Sequence, residues 1–351
     1  MKQFYFRPFL LVLFCSSLAL AQEKKKPKFV PDSNFIVNYP DVFTAGLFTS
    51  SPVMQLTIKP VEKDLDKYKS EFRSNFSNLL GFSLSYKKLS ISYGFRTPLF
   101  PNDESKGRTT STGIALTFRK PKYNLMAEYR QFTGYYDDNS PNYVPIHDSL
   151  AVRPDVRYKN IGANMIYNFS WKKYSYNAPL TYNDRQLKSR IGFLAKGGIN
   201  YTTISSSDST LLASVQAKGF SNFDDVRSVN ALLLKLGPGI GGTLVIFKRF
   251  YVTANYFVMG NFIEYTYKIQ NQGTSGWHPN FNFYTESYFG FGYNSKRLFA
   301  GLSLNGDINV MRIRDASIRT NFATLLITAG YRFDPPSFLK KEYKKIPLLN
   351  K

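Results

Sequence analysis

The sequence contains 351 residues, with 46 Lys and Arg against 24 Asp and Glu, which gives a formal charge of +22. Aromatic residues make up 17% of the chain, and this excludes a disordered protein. One cysteine and two histidines exclude a disulfide framework and a Cys- or His-based metal cage, so we expect no metal site and no cofactor.

Residues 1–21 have the features of an export signal. Lys2 and Arg7 give a basic start, Phe9–Phe14 is an apolar run, and Ala19-Leu20-Ala21 is a small-x-small cleavage motif. We therefore predict a signal peptide that is cleaved after Ala21. Export moves the mature chain away from the cytoplasmic nucleic acids, so we expect no nucleic-acid partner in spite of the basic charge.

From residue 42 onward, segments of the chain alternate apolar residues with small or polar ones. Ile161 and Met165 fall on one face of such a segment, and Asn160 and Asn164 fall on the other. The polar faces are rich in Gly, Ser, Thr and Asn, and the apolar faces carry aromatic residues at their ends, as in barrels that cross Gram-negative outer membranes. The pattern predicts an all-β, porin-like transmembrane antiparallel β-barrel, with a soluble β-sandwich or solenoid as the alternative.

Short connections alternate with long polar ones along the same region. Lys87-Lys88 and Phe247–Arg249 are short, whereas 137–157 and 205–226 are long. Outer-membrane barrels have short periplasmic turns and long outer loops, so the alternation predicts twelve strands with both termini in the periplasm. Fourteen strands is the alternative, because 42–50 resembles an extra strand and 172–187 is long for a periplasmic connection. The predicted organisation is a signal peptide (1–21), a periplasmic N-terminal segment (22–41), the barrel (42–333) and a basic periplasmic tail (334–351).

Most of the excess positive charge falls in the predicted periplasmic turns, and we call these residues the basic rim. An anionic membrane surface stabilises each nearby basic residue by about 1 kcal/mol, so we expect the rim to contact outer-membrane lipids. Docking of an acidic periplasmic partner or the cell wall is the alternative. The rim consists of Lys87, Lys88, Arg119, Lys120, Lys122, Lys172, Lys173, Lys248, Arg249, Lys296 and Arg297.

Five charged residues should face the lumen near the middle of the barrel when strand positions are counted from the turns. They are Glu128, Arg130, Lys196, Glu286 and Asp307. Charges withdrawn from bulk water are stable only when they are paired and hydrogen-bonded, which predicts a salt-bridge network that fills a narrow lumen. The alternative is a constriction that selects solutes. Because both signs of charge are present, neither the salt-bridge network nor the constriction predicts a preference for anions or cations.

The two histidines, His147 and His278, fall in predicted outer loops. A barrel hydrolase would need a histidine beside a serine and a polar orienting group at the membrane face. His147 precedes Asp148 and Ser149, but neighbours in sequence seldom meet in that geometry. We therefore expect no catalytic residues.

Several short motifs occur at different points of the mature chain. They are Tyr39–Thr44, Leu89–Phe95, Tyr174–Asn177, Gln186–Ser189, Gly197–Tyr201 and Gly330–Phe333 with Pro335-Pro336. Together they resemble a Bacteroidota outer-membrane β-barrel family of unknown function, domain of unknown function family 4421. The resemblance implies an outer-membrane barrel of about this length and supplies no site residues. The chain differs from other outer-membrane barrels in the basic tail that follows Phe333, because the usual assembly signal is a terminal aromatic residue.

The combined features predict a protein of the cell outer membrane that is a passive channel or a structural barrel with a charged, side-chain-lined lumen. A docking protein that uses the basic rim is the first alternative, and an outer-membrane hydrolase is the second. The expected partners are outer-membrane lipids, small solutes and a periplasmic protein. The sequence identifies neither a solute nor an oligomeric state.

Overall fold

A computed structural model describes residues 30–345, except 77, 97–102, 143–149, 208 and 271–272, so the predicted signal peptide lies outside the described residues. No helix in the described part is long and apolar enough to cross a membrane. The α-helices are α1 (Ser214–Ala217) and α2 (Ser337–Lys344), and three short 3-10 helices span Lys63–Tyr68, Glu104–Lys106 and Ser140–Asn142. The strands are β1 (Ile36–Asn38), β2 (Phe43–Pro60), β3 (Ser70–Arg73), β4 (Leu79–Tyr86), β5 (Leu89–Arg96), β6 (Thr110–Arg119), β7 (Tyr123–Asp137), β8 (Ala151–Asn168), β9 (Asp184–Gln186), β10 (Arg190–Ser206), β11 (Val226–Ile246), β12 (Phe250–Ile269), β13 (His278–Asn294), β14 (Leu298–Ile313) and β15 (Ala316–Phe333).

Twelve antiparallel strands close into a ring, which confirms the predicted barrel and its strand number. β15 pairs with β2 along its whole length, from Ala316 opposite Pro60 to Phe333 opposite Phe43. This pairing joins the first and last strands of the ring, so neither β2 nor β15 is left as an open edge of the sheet. The order around the ring is β2-β4-β5-β6-β7-β8-β10-β11-β12-β13-β14-β15.

The outer surface of the ring is apolar. Leu47, Phe193, Leu236 and Phe283 point away from the lumen and are each about two-thirds exposed. A continuous apolar belt of this kind faces hydrocarbon, because a water-soluble protein would not leave it uncovered. The barrel therefore spans the outer membrane, and the end that carries the short turns and both ends of the described chain is its periplasmic end.

The wall is not uniform along its height. Residues 42–50, the candidate extra strand, belong to β2, whose first half pairs with β4 and whose last residues pair with β3. β3 also pairs with β7, at Phe72 and Arg73. β3 thus replaces the short strands β4, β5 and β6 at the outer end, where the wall has two strands fewer.

An apolar core closes the outer end of the barrel. Residues 209–225, here called the outer plug, fold across the lumen and bury Leu211, Leu212, Phe220 and Phe223. Gln216 of α1 donates a hydrogen bond to Asp137 Oδ2 at 2.6 Å, which ties the outer plug to β7. The wall contributes inward-facing apolar side chains to the same core: Met54, Leu56, Ile58, Phe132, Val156, Ile204, Val229, Ile263, Met311 and Ile318.

The long connection 172–187 folds back into the barrel and closes its periplasmic end. We call this segment the periplasmic plug; it buries Tyr174, Ala178 and Tyr182 inside the ring. Its short strand β9 pairs with β1, so the N-terminal segment supports it from the periplasmic side. The segment is therefore neither a wall strand nor an ordinary turn, which explains its length.

A fully buried arginine of β15 anchors the periplasmic plug. Arg332 donates from Nε to the carbonyl oxygen of Tyr182 at 2.8 Å and from Nη1 to that of Ser295 at 2.6 Å. Its Nη2 donates to Asn294 Oδ1 at 2.7 Å. The guanidinium also lies 4.4 Å from the centre of the Tyr39 ring. These contacts join the plug, the wall and the N-terminal segment.

Arg119 departs from its predicted place in the basic rim. It is the inward-facing last residue of β6, and its side chain is buried. Nη1 donates to Thr181 Oγ1 of the periplasmic plug at 3.1 Å, and Nη2 donates to the carbonyl oxygens of Lys87 and Leu89, both at 3.2 Å. Strand alternation places Phe118 on the outward face and Arg119 on the inward face. The prediction assigned Arg119 to the rim because it adjoins a turn and did not consider which face of the strand it occupies.

The Arg332→Met substitution should loosen the periplasmic plug. It keeps most of the side-chain volume but leaves the carbonyl oxygen of Tyr182 without its donor, at a cost of about 1–3 kcal/mol. We expect trypsin to cleave the refolded variant after Arg185 and Lys188 about tenfold faster than it cleaves the unmodified barrel. Mass spectrometry of the released peptides measures the two rates. Arg249→Met, on the exposed rim, is the control. Equal cleavage rates in both variants would contradict the anchoring role.

Candidate functional site

A cavity of about 390 Å³ lies inside the barrel. Eight of the twelve ring strands contribute to its wall, and residues 176–181 of the periplasmic plug form its floor. We call this cavity the chamber. The outer core lies above it, so the chamber is the space that the two plugs leave between them.

Strand alternation points the five charged residues predicted for the lumen into the chamber. Glu128 and Arg130 are two residues apart on β7 and share its inward face. Arg130 Nη2 lies 2.8 Å from Glu128 Oε2, and Arg130 Nη1 lies 3.5 Å from Asp307 Oδ2. This cation therefore bridges a carboxylate of β7 and one of β14.

The second ion pair crosses the lumen. Lys196 Nζ lies 2.5 Å and 2.6 Å from the two carboxylate oxygens of Glu286. Glu286 and Asp307 are register partners on β13 and β14, so their carboxylates project side by side. Each of the two adjacent carboxylates has its own cation, which offsets their mutual repulsion.

Lys235 is a charged lumen residue that counting from the turns missed. It lies on the inward face of β11, and its ammonium is 3.7 Å from the centre of the Tyr284 ring. It also interacts electrostatically with Asp307 and Glu286. The signal was present in the sequence, because Lys235 alternates with the outward-facing Leu234 and Leu236.

With Lys235 included, the formal charges of the cluster balance. Three cations face three anions, and the group as a whole carries no net charge. The cations are Arg130, Lys196 and Lys235, and the anions are Glu128, Glu286 and Asp307. The described residues include no cluster of His, Cys, Asp and Glu arranged to hold a metal ion.

A close approach between two strands helps to place the amide of Asn164 near the charges. Its Nδ2 donates to Glu128 Oε1 at 3.5 Å. Gly198, opposite it on β10, leaves the necessary room, since a Cβ there would lie 2.2 Å from Asn164 Oδ1. The Gly197–Tyr201 motif therefore has a packing role at the chamber wall.

The basic rim lies at the periplasmic end, and all of its residues except the buried Arg119 are half-buried or exposed. Several of its ammonium groups lie over outward-facing aromatic rings. Lys120 Nζ is 5.3 Å from the centre of the Tyr123 ring, and Lys122 Nζ is 5.1 Å from that of Tyr167. Long basic side chains beside an aromatic belt are typical of the membrane–water interface.

Helix α2 of the basic tail packs on the outside of the barrel. Its Tyr343 contacts Tyr86 edge to face, with 5.3 Å between the ring centres, and its Leu339 joins the same cluster. Their wall partners, Phe43, Leu89 and Phe118, belong to the outward-facing surface. The part of the tail that the structure describes therefore lies against the periplasmic edge of the apolar belt.

Of the two histidines, only His278 lies among the described residues. Its ring lies beside those of Tyr265 and Tyr267, with centres 5.4 Å and 5.6 Å away. Ring stacking of this kind orients an imidazole but supplies no nucleophile to it.

A family model described as a domain of unknown function, DUF4421, matches residues 30–333. The chain belongs to this family. The expectation drawn from the short motifs is confirmed, and several of those motifs meet at the periplasmic plug: Tyr39 lies under Arg332, and Gln186 Oε1 accepts from the backbone N–H of Ser175 at 2.8 Å. No curated protein matches the sequence.

Solved outer-membrane barrels resemble the structure at low identity. The outer membrane protease OmpT from Escherichia coli has a TM-score of 0.37 and 11% identity, over 85% of this chain and 98% of that one. The toluene transporter TodX of P. putida has a TM-score of 0.27 and 9% identity, over 85% and 91%. The toluene transporter TbuX of Ralstonia pickettii has a TM-score of 0.28 and 11% identity, over 83% and 90%. Likeness at this level carries no information about solute or chemistry.

A double-mutant cycle on Lys196 and Glu286 should reveal strong coupling. Lys196→Met leaves the Glu286 carboxylate without its nearest cation and should lower the free energy of unfolding by about 2 kcal/mol, less than for a fully buried pair because Glu286 faces the chamber. Lys196→Met with Glu286→Gln should recover most of that loss. Urea unfolding in lipid vesicles measures the free energy of unfolding of each variant, and Lys296→Met on the exposed rim is the control. Additive losses would show that the pair is not coupled.

Proposed function

We propose that this protein is a structural outer-membrane barrel that retains a small solute in an internal, charge-balanced chamber. Of the two main expectations from the sequence, the structural barrel with a charged lumen has the stronger support. The observation that carries the proposal is the filling of both ends of the lumen. We also propose that the chain reaches the outer membrane after removal of residues 1–21.

The outer core argues against an open diffusion path. A passive pore needs a continuous column of water, and hydrophobic constrictions stop conduction by excluding water. Leu56, Ile58, Ile204 and Ile318 have no exposed surface in this core. Leu56, Ile58 and Ile318 come from the neighbouring strands β2 and β15, whereas Ile204 comes from β10 on the opposite side of the ring. The apolar layer therefore extends across the lumen rather than along one wall.

The charge balance of the chamber indicates the class of solute. A site with one sign of charge would attract a simple anion or cation. Here each carboxylate has a cation near it, and the two signs alternate over a short distance. Such a site favours a solute that carries both signs or a strong dipole, because that solute can pair with both sets of groups.

Single-channel recording tests this proposal. The refolded mature chain, residues 22–351, should show no steady conductance in a planar bilayer. A variant in which both plugs are shortened, with residues 176–181 and 211–223 replaced by Gly-Ser linkers, should conduct because the water column becomes continuous. Variants with one shortened plug should remain closed. Steady conductance of the unmodified chain would favour the passive channel instead.

Docking through the periplasmic surface is the second candidate. One observation favours it: Lys173, Lys188 and Arg190 surround the ring of Phe35, at 5.1, 5.2 and 6.0 Å from its centre. All three cations are exposed. An aromatic ring among cations forms a recognition surface for an acidic group with an apolar neighbour, as in an acidic periplasmic protein or the cell wall.

Cosedimentation with purified cell-wall sacculi tests docking. Replacing Lys173, Lys188 and Arg190 together by Gln should abolish most binding, and raising the salt concentration should do the same, since exposed charges are screened. Replacing Lys248, Arg249 and Lys296 by Gln removes the same charge elsewhere on the rim and is the control. Equal binding by the two triple variants would exclude a specific surface.

A further inference from the structure

Three basic side chains lie together on the outward face of the barrel at its outer end. They belong to the neighbouring strands β14, β15 and β2 and are all exposed: Arg312, Arg319 and Lys59. Strand alternation fixes their direction, because Ile313 and Ile318 beside them point into the outer core. We call the three residues the outer basic cluster. It is separate from the basic rim, which lies at the periplasmic end.

Strand pairing brings the three cations close together. Ser317 of β15 is the register partner of both Arg312 and Lys59, so it lies between them. Arg319 is two residues further along β15 and faces the same way. It is therefore a diagonal neighbour of each of the other two, at about 7–8 Å, which is within reach of long side chains. One bound group can contact all three cations.

The outer basic cluster forms no ion pair with any residue that the structure describes. Glu71 of β3 lies on the same face, but its carboxylate is 2.8 Å from Lys69 Nζ. Asp315, in the β14–β15 turn, accepts from the backbone N–H of Asn222 in the outer plug at 3.0 Å. Like charges at close range repel one another, and an anion bound among them offsets that repulsion.

Hydroxyl and amide side chains surround the cations on the same face of the wall. They are half-buried and lie on β2 and β15: Thr57, Gln55, Ser317 and Asn321. Such groups both donate and accept hydrogen bonds, as sugar hydroxyls do, whereas arginine and lysine form charge-assisted hydrogen bonds with phosphate. The surface therefore offers the two kinds of contact that a phosphorylated sugar requires.

The outer basic cluster lies at the level of the lipid head groups of the outer leaflet. The outward-facing residues of β15 from Ala323 to Phe333 are apolar or aromatic, and this stretch of eleven residues is long enough to cross the hydrocarbon. Arg319 is four residues beyond Ala323, which places its backbone about 10 Å above the hydrocarbon on a tilted strand. The polar layer of a phospholipid leaflet is about 5–8 Å thick, so this height suits a larger head group.

We propose that the outer basic cluster binds the phosphorylated sugar head group of an outer-leaflet glycolipid. The phosphate contacts the three cations, and the sugar hydroxyls contact the hydroxyl and amide groups around them. The acyl chains follow Leu325 and Ile327, which are exposed on the same face below the cluster. The inference is independent of the proposed function, because all of these groups lie on the outside of the wall.

Native mass spectrometry of the purified barrel in detergent tests this site. The probe is lipid A, a diglucosamine lipid that carries two phosphates. Replacing Arg312, Arg319 and Lys59 together by Gln should weaken its binding about tenfold, because the charge-assisted contacts are lost. Lipid A from which the phosphates have been removed should bind the unmodified barrel about tenfold more weakly for the same reason.

Replacing Arg157, Lys159 and Lys268 together by Gln is the matched control. These cations are also exposed in the outer halves of their strands, β8 and β12, but they are not neighbours of the outer basic cluster. A heat-dependent shift on gels verifies that each variant is folded. The control should bind lipid A as the unmodified barrel does.

Three results would overturn the proposed site. Equal weakening by the two triple variants would show that a basic surface attracts the lipid without a specific site. Phosphatidylglycerol that binds as tightly as lipid A would show that a phosphate without a sugar head group is sufficient. Absence of lipid A binding to the unmodified barrel would exclude the site directly.

Discussion

A twelve-stranded ring encloses more space than its own inward side chains can fill. Eight-stranded barrels are filled by their walls, and sixteen-stranded porins remain open, so twelve strands leave an intermediate lumen. This chain fills the excess with two segments that fold inward, the outer plug and the periplasmic plug. Their packing determines where an internal space remains, and the charged chamber lies there.

The two plugs use different physical interactions. The outer plug adds apolar side chains such as Leu211 and Phe223 to a core of wall residues, so burial of apolar surface stabilises it. The periplasmic plug is held by hydrogen bonds from the wall, among them those of Arg119 and Arg332 to its side chains and backbone, and by stacking of Tyr182 on Phe299. An arginine suits this role because its five donors satisfy several carbonyl oxygens that burial removes from water. The charged side chains of the chamber, which lies between the plugs, form ion pairs with one another.

Much of the barrel follows from period-two alternation. The same rule that identified the strands also placed Glu128, Arg130, Lys196, Glu286 and Asp307 on inward faces. It places Lys235 on the polar face of β11 as well, but counting from the turns left this residue out of the cluster. It failed where the periodicity is interrupted or where only turns were considered. The two halves of β2 read as separate segments because Ser50, Ser51 and Pro52 blur the alternation, and Arg119 was assigned from its turn rather than from its face.

The sequence by itself determined the membrane-spanning barrel and the face on which most wall residues lie, and it favoured twelve strands over fourteen, because these features depend on local periodicity and loop length. Only the tertiary structure shows that two of the connections fold into the lumen. Residues 172–187 and 209–225 have the composition of ordinary connections, and their inward folding depends on contacts with distant strands, such as Gln216 with Asp137 and Tyr182 with Arg332. Ion-pair partners across the lumen likewise depend on barrel closure, which brings β10 and β13 within reach of each other.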